Sequence, residues 1–325
     1  MRSVALANRE EIAVQTINEG LYQRFISYLD TMPRTIETYT KALRQLFKYF
    51  SLNGITQPTR EDILAYRDYL KETHKSATVQ NYITATRLFF QWLEQERIYP
   101  NVANKIKGVK VEKGHKKDFL SSQQVKIVLE TVETQSLQGL RDYAMIALMI
   151  TGGLRTIEIA RADIKDIREV AGKTRLYIQG KGKSEKEDYV ILQPEVKMAI
   201  NAYLNKRGEI DNAQPLFTST SNNSTGGRLS TRSISGIVKT WLQRAGYDSD
   251  RLTAHSLRHT AITLALLAGK PMREVQQFAR HTSPIVTEIY AHDLERANNG
   301  CEEAIARAIF EKGRNNVPNG ILQGL

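Results

Sequence analysis

The sequence predicts a mainly α-helical protein of two domains, the second carrying a small β-sheet. Three observations lead there. From about Glu19 to Asn104 the apolar residues recur at spacings of three and four, the period of a buried helix face. From Lys105 to Lys117 the texture changes to a lysine-rich stretch containing Gly108 and Gly114, which reads as a flexible connector. Beyond Phe119 helical segments return. They are interrupted once, between Ala162 and Leu192, by short apolar or alternating runs around the turn Gly180-Lys181-Gly182-Lys183. At 325 residues the chain is long enough for two domains, each with its own core.

Residues 1–15 read as a loose leader. In the first half, residues 34–52 place Ile36, Tyr39, Leu43, Leu46, Phe47 and Phe50 on one stripe, with Pro33 before it and Asn53-Gly54 after it as punctuation. Thr59 followed by Glu61-Asp62 predicts a capped helix start running to about Glu72. A further helix is expected over 76–94, with Val79, Ile83, Phe89, Phe90 and Leu93 inward. With the helical pattern that starts at about Glu19, this half makes a bundle of about four helices. In the second half, helices are expected over 121–132 and 137–150. Strands are expected over 162–167, 175–179 and 189–192, and a helix from Pro194 to about Leu204. Residues 218–227 form a Ser/Thr/Asn/Gly loop, and helices follow over 231–245, 255–268, 272–279, 284–292 and 300–310.

A net charge of +11 favours a polyanionic partner, most often nucleic acid. The single cysteine, Cys301, excludes a disulfide framework and a thiolate zinc cage and fits a reducing cytoplasm. The first twenty residues carry Arg2, Arg9, Glu10, Glu11 and Glu19 with no apolar core, so no signal peptide is expected. The longest apolar run, 144–150, is too short to cross a bilayer, and no membrane partner is expected. Gly182-Lys183-Ser184 suggests a phosphate loop, but Tyr177 stands where that motif needs a glycine. No metal-ligand or dinucleotide fingerprint is present, so neither metal nor cofactor is expected.

The chemistry-bearing residues recur in a fixed order. Arg155 follows Thr151-Gly152-Gly153-Leu154, and about a hundred residues on stands His255-Ser256-Leu257-Arg258-His259. Arg280-His281 and Tyr290 come next. Two guanidiniums suit the two non-bridging oxygens of a phosphodiester, because each is planar, permanently charged and donates in pairs. Imidazoles can move protons, and a phenol, with a pKa near 10, needs such help before it attacks phosphorus. Lys181, flanked by glycines at a hairpin tip, could reach into a groove and protonate a leaving oxygen. His255 and Arg258 share a helix face. Each piece alone has an ordinary structural explanation: a surface pair for His-x-x-Arg, a core position for the tyrosine, a solvated tether for the lysines.

Taken together, the series Thr151-Gly152-Gly153-Leu154-Arg155-x-x-Glu158, Gly180-Lys181-Gly182, His255-x-x-Arg258-His259-Thr260, Arg280-His281-Thr282-Ser283 and Tyr290 resembles the tyrosine recombinase (phage integrase) family over roughly residues 20–295. The resemblance implies a two-domain DNA clamp. A helical, SAM-like core-binding domain would span residues 16–106, a basic linker 107–117, an α+β catalytic domain 118–296, and a tail helix for protomer docking 297–325. It implies that Tyr290 forms a 3′-phosphotyrosyl bond, that Arg155 and Arg258 bind the scissile phosphate, and that Lys181 is the general acid. His255 and His281 would support proton transfer and phosphate binding, with Glu158 bracing the site. Lys105, Lys107, Lys110, Lys113, Lys116 and Lys117 would lie on DNA phosphates.

The implied function is site-specific recombination of double-stranded DNA at inverted-repeat sites, without metal or ATP, for integration, excision or dimer resolution. The implied assembly is a homotetramer on DNA in a prokaryotic cytoplasm, associated with the nucleoid, with room for a partner recombinase or an accessory DNA-bending protein. With no separate arm-binding domain expected before residue 15, the architecture is closer to the simpler, Xer-like members. One residue departs from the pattern. The family usually has glycine before the last histidine, where this chain has Arg280, a side chain expected either to contact a phosphate or to face solvent. Two other readings compete: a type IB topoisomerase-like enzyme that relaxes supercoils as a monomer, and a DNA-binding regulator of the same fold that does not cut.

Overall fold

The computed structural model describes residues 17, 19–110, 118–180, 182–208, 211–221, 225–297 and 300–310. The chain falls into two compact units that divide between Lys113 and Gly114. The leader 1–15 and the lysines Lys113, Lys116, Lys117 and Lys181 lie outside the described residues.

The first unit is helical: α1 (Glu19–Tyr28), α2 (Pro33–Leu52), α3 (Arg60–Thr73) and α4 (Ser76–Gln95). The apolar stripes meet in one core holding Phe25, Leu43, Leu46, Ile63, Leu70, Phe89, Phe90 and Leu93. Phe25 meets Phe89 edge-on at 5.5 Å and Phe47 meets Phe89 at 5.8 Å. The fully buried rings of Phe25 and Phe89 each contribute about 1.5–3 kcal/mol by burial alone. Thr59 and Asp62 form the capping box at the start of α3, with the Thr59 N–H donating to Asp62 Oδ2 at 2.7 Å.

The stretch read as a connector begins on this unit. Ile106 is buried in its core, Arg60 donates to the Asn104 carbonyl at 2.6 Å, and Arg67 donates to that of Lys107 at 3.4 Å. Lys105, Lys107 and Lys110 are exposed.

The second unit contains α5 (Ser122–Thr131), α6 (Leu137–Thr151), α7 (Thr156–Arg161), a 3-10 turn (Ile164–Asp166), β1 (Ile167–Val170), β2 (Lys173–Ile178) and β3 (Asp188–Ile191). It continues with α8 (Pro194–Arg207), α9 (Thr231–Arg244), α10 (Ala254–Leu267), α11 (Met272–Ala279), α12 (Pro284–Ala297) and α13 (Cys301–Phe310). The sheet is antiparallel in the order β1-β2-β3. Helix α6 is buried on nearly every side from Ala144 to Ile150 and packs on α8 and α10. At its start a buried ion pair, Arg141 to Asp142 at 2.7 Å, is completed by the Trp241 indole N–H on Asp142 Oδ2 at 2.9 Å. Pairing of this kind is what makes two buried charges tolerable.

Two elements differ from expectation. The first strand was expected over 162–167, but it begins only at Ile167. Upstream, the Asp163 N–H donates to Asp166 Oδ2 at 2.7 Å, closing a 3-10 turn that competes with extended backbone. The strand then turns through Ala171 and Gly172, both at positive φ (+51° and +71°), as a two-residue hairpin demands. The six-residue α7, which no apolar period announced, carries Glu158.

Candidate active site

The turn before Arg155 is set by helix-ending chemistry. Gly153 takes φ +57°, its N–H bonds to the Ile150 carbonyl at 3.3 Å, and the Leu154 N–H bonds to Met149 at 3.0 Å. This is the Schellman pattern, which favours glycine at the left-handed position. A Cβ at Gly153 would also sit 3.0 Å from the ring of Phe278. Leu154 is buried, and the chain then reverses so that Arg155 becomes the N-cap of α7. Glu158, fully buried, holds both ends of that residue. Its Oε2 accepts the Arg155 N–H at 2.8 Å and its Oε1 accepts from Nη1 at 2.9 Å. The Arg155 guanidinium stays part-exposed and, with Thr156, Ile157, Ser235, Thr253, Ala254 and His255, lines a cavity of about 260 Å³.

Helix α10 brings the second cluster. Thr253 and Ser256 cap it, with the Thr253 N–H on Ser256 Oγ at 3.0 Å. His255 is exposed at the cavity, whereas Arg258, one turn on, is 1 % exposed. Arg258 donates from Nη1 to the Gly153 carbonyl at 2.5 Å and from Nη2 to the Ala279 carbonyl, joining the Arg155 turn to the end of α11. Burial, then the neighbouring guanidiniums of Arg155 and Arg280, lower its pKa from the ordinary arginine value. Such a group gains from an arriving anion.

Tyr290, on α12, is 5 % exposed and packs with Ile262, Val275 and Ala279. Its ring lies 4.5 Å from that of His259 and 6.3 Å from that of His281. Burial raises the Tyr290 pKa, while the charges of Arg258 and Arg155 pull the other way. His281 is part-buried and its Nδ1 lies 2.9 Å from Thr287 Oγ1. Thus Arg155, Glu158, His255, Arg258, His281 and Tyr290, scattered over 136 residues (155 to 290), converge in one region of the second unit.

Lys181 lies outside the described residues, but the hairpin on either side of it is held. Arg161 donates to the Gly180 carbonyl at 3.3 Å, and Lys186 pairs with Asp163 and Asp166 at 2.7 and 2.5 Å.

Two residues belong to this site without having been assigned to it from the sequence. His259, beside the second arginine, is buried and stacks on Phe119 with ring centroids 5.9 Å apart. Arg280 does not face solvent. It folds inward, donating to the carbonyls of Gly152, Gly153 and Phe278 and to Glu158. The signal in the sequence was an arginine where the resemblance places glycine, and its backbone is indeed left-handed, with φ +52°. Among the described residues no three His, Cys, Asp or Glu side chains are grouped to share a metal ion, and no helix is long and apolar enough to cross a membrane.

The chain matches known proteins in sequence and in fold. Residues 118–296 match the Phage integrase family, and residues 21–97 match the Phage integrase, N-terminal SAM-like domain. Tyrosine recombinase XerC of Pelotomaculum thermopropionicum is 29% identical over 286 residues, covering 82% of this chain and 92% of the relative. Tyrosine recombinase XerC of Haemophilus ducreyi is 31% identical over 268 residues, covering 80% and 84%. Among solved structures, the XerH site-specific recombinase bound to a palindromic difH substrate superposes with a TM-score of 0.68 at 22% identity, covering 82% of this chain and 80% of that one. A lambda integrase tetramer bound to a Holliday junction superposes at 0.65 with 14% identity, covering 86% and 78%. The chain therefore belongs to the phage integrase family of tyrosine recombinases, enzymes of site-specific DNA strand cleavage and rejoining.

Proposed function

We propose that Tyr290 attacks the scissile phosphodiester of a duplex site and becomes joined to its 3′ phosphate. The bond from phenolic oxygen to phosphorus forms as the bond from phosphorus to the 5′ oxygen breaks. The phenolic proton passes to an imidazole, of His255 or His281, the 5′ oxygen leaves with a proton from Lys181, and the imidazoles also hold the phosphate. Arg155 and Arg258 pair with the non-bridging oxygens, where charge grows in the transition state. Glu158 keeps Arg155 in place. The new phosphotyrosyl ester replaces a phosphodiester of like energy, so a 5′ hydroxyl reverses the step without a nucleotide, and the guanidiniums supply the charge that a metal would otherwise bring. The observation that carries this reading is the convergence of both arginines on the buried Tyr290: Arg258 donates to the Gly153 carbonyl in the turn that leads into Arg155 and to the carbonyl of Ala279, against which Tyr290 packs.

The test is a nicked suicide substrate in excess chelator. A detergent-resistant adduct and strand exchange between two duplexes are expected. An adduct that needs magnesium overturns the metal-free scheme. An adduct without exchange favours a topoisomerase-like enzyme, and no adduct favours a regulator that does not cut.

The DNA site in this reading consists of inverted repeats, bound with help from the exposed Lys105, Lys107 and Lys110 and from Lys113, Lys116 and Lys117. Four protomers act on two duplexes, in the cytoplasm at the nucleoid. A partner recombinase or accessory DNA-bending protein is compatible with it. The feature that supports assembly is α13, whose apolar residues Ala304, Ile305, Ala308 and Ile309 are exposed. Docked on a neighbouring protomer, that stripe would be buried. Truncation after Asn299 is expected to preserve single-site binding and to reduce pairing of two sites on native gels. Pairing at full efficiency would show that the tail does not hold the assembly.

A further inference from the structure

We infer that Arg280 is a positioning residue for the phosphate clamp, acting by neutralising Glu158 and bracing the turn that both clamp arginines use. This rests on the assignment of Arg155, Arg258 and Tyr290 given above.

The backbone at Arg280 is left-handed, with φ +52° and ψ 44°, and closes α11 as its C-cap. Glycine takes this conformation freely, and a residue with a Cβ does so at a cost. Here the side chain makes four hydrogen bonds in return. Nη1 donates to the carbonyls of Phe278 at 2.8 Å and Gly152 at 3.3 Å, and Nη2 donates to the Gly153 carbonyl at 2.9 Å and to Glu158 Oε2 at 3.2 Å. The side chain is 10 % exposed. Burial lowers its pKa, against the pull of Glu158.

Two consequences reach the clamp. The first is geometric. The Gly153 carbonyl accepts from Arg258 at 2.5 Å and from Arg280 at 2.9 Å, and the same turn leads directly into Arg155. Arg280 therefore fixes the loop on which both phosphate-binding guanidiniums are registered. The second is electrostatic. Glu158 is fully buried and pairs with Arg155. A lone buried carboxylate would compete with the phosphate for that guanidinium. With Arg280 as a second cation, the carboxylate is satisfied, and the group of Arg155, Arg258, Arg280 and Glu158 carries a net positive charge toward an incoming phosphodiester.

The test is single-turnover cleavage of a suicide substrate at saturating protein by Arg280→Gly, Arg280→Met, Glu158→Gln and the double variant Arg280→Gly/Glu158→Gln. Arg280→Gly relieves the left-handed backbone but removes four buried hydrogen bonds, so it is expected to melt below wild type, and cleavage, read well below that melt, to slow on the order of 10- to 100-fold, the scale of a misplaced catalytic group. DNA affinity should stay within about threefold. Neutralising Glu158 should remove much of the need for Arg280, so the double variant is expected to cleave within about threefold of Glu158→Gln alone. The bonds of Arg280 to the Gly152 and Gly153 carbonyls are not replaced by neutralising Glu158, so multiplicative losses in the double variant would overturn the neutralising role and leave Arg280 as a brace of the turn alone. Wild-type cleavage by both Arg280→Gly and Arg280→Met would overturn the inference. Tyr290→Phe is run beside them. If it still forms the adduct, the site assignment fails; if it does not, and Arg280→Gly cleaves normally, the role of Arg280 alone fails.

Discussion

Tyr290→Phe is expected to abolish covalent attachment to DNA, by at least about 10⁴-fold, while leaving binding nearly intact. The substitution removes one oxygen, and the ring continues to pack against Ile262, Val275, Ala279 and the ring of His259. Gel-shift affinity and detergent-resistant adduct formation read the two effects separately. An adduct from the variant would mean that another residue is the nucleophile. A second readout follows from burial, which raises the Tyr290 pKa. The folded protein holds the phenolic proton more tightly than the unfolded chain, so the contribution to stability is full below about pH 10 and is lost as the pH rises above it. The variant should lack that alkaline loss in thermal melts.

Arg258→Ala is expected to damage both stability and chemistry. The guanidinium is buried and donates to the carbonyls of Gly153 and Ala279. Truncation leaves a cavity and deprives the Ala279 carbonyl of its arginine donor, at a cost of about 2–5 kcal/mol. In a unit of this size that corresponds to a melting shift of roughly 5–15 °C. Removing one of two transition-state donors should slow cleavage a further 10²- to 10³-fold or so. Arg258→Lys separates the two effects. One ammonium keeps the charge but cannot span both carbonyls, so it should recover part of the stability and little of the rate. A variant Arg258→Ala that melts and cleaves like wild type would remove Arg258 from the clamp.

The helical first unit was legible because its signals are local. The stripe over residues 34–52 and the Thr59–Asp62 pair are short-range patterns, and α2 and α3 begin and end close to where they point. The second unit was less legible where polar side chains overrule the period. Asp163 and Asp166 close a 3-10 turn inside a run that reads as strand, and α7 is too short to display an amphipathic repeat. The connector read from its lysines starts on the first unit, because Ile106 and Val109 among those lysines pack against its core.

The order of Arg155, Lys181, His255, Arg258, His281 and Tyr290 is a property of the sequence alone, and it was enough to name the chemistry, since only a few reactions use those groups together. What each side chain faces is not written in that order. His255 and Arg258 lie one helical turn apart, yet the first is exposed at a cavity and the second is sealed between two carbonyls. Arg280 reads as a surface base and is an interior one. Its partners, Gly152, Gly153 and Glu158, lie more than 120 residues upstream. Periodicity and capping are local and can be read along the chain. The desolvation and pairing of a charge depend on which distant segments close over it, and only the tertiary structure decides that.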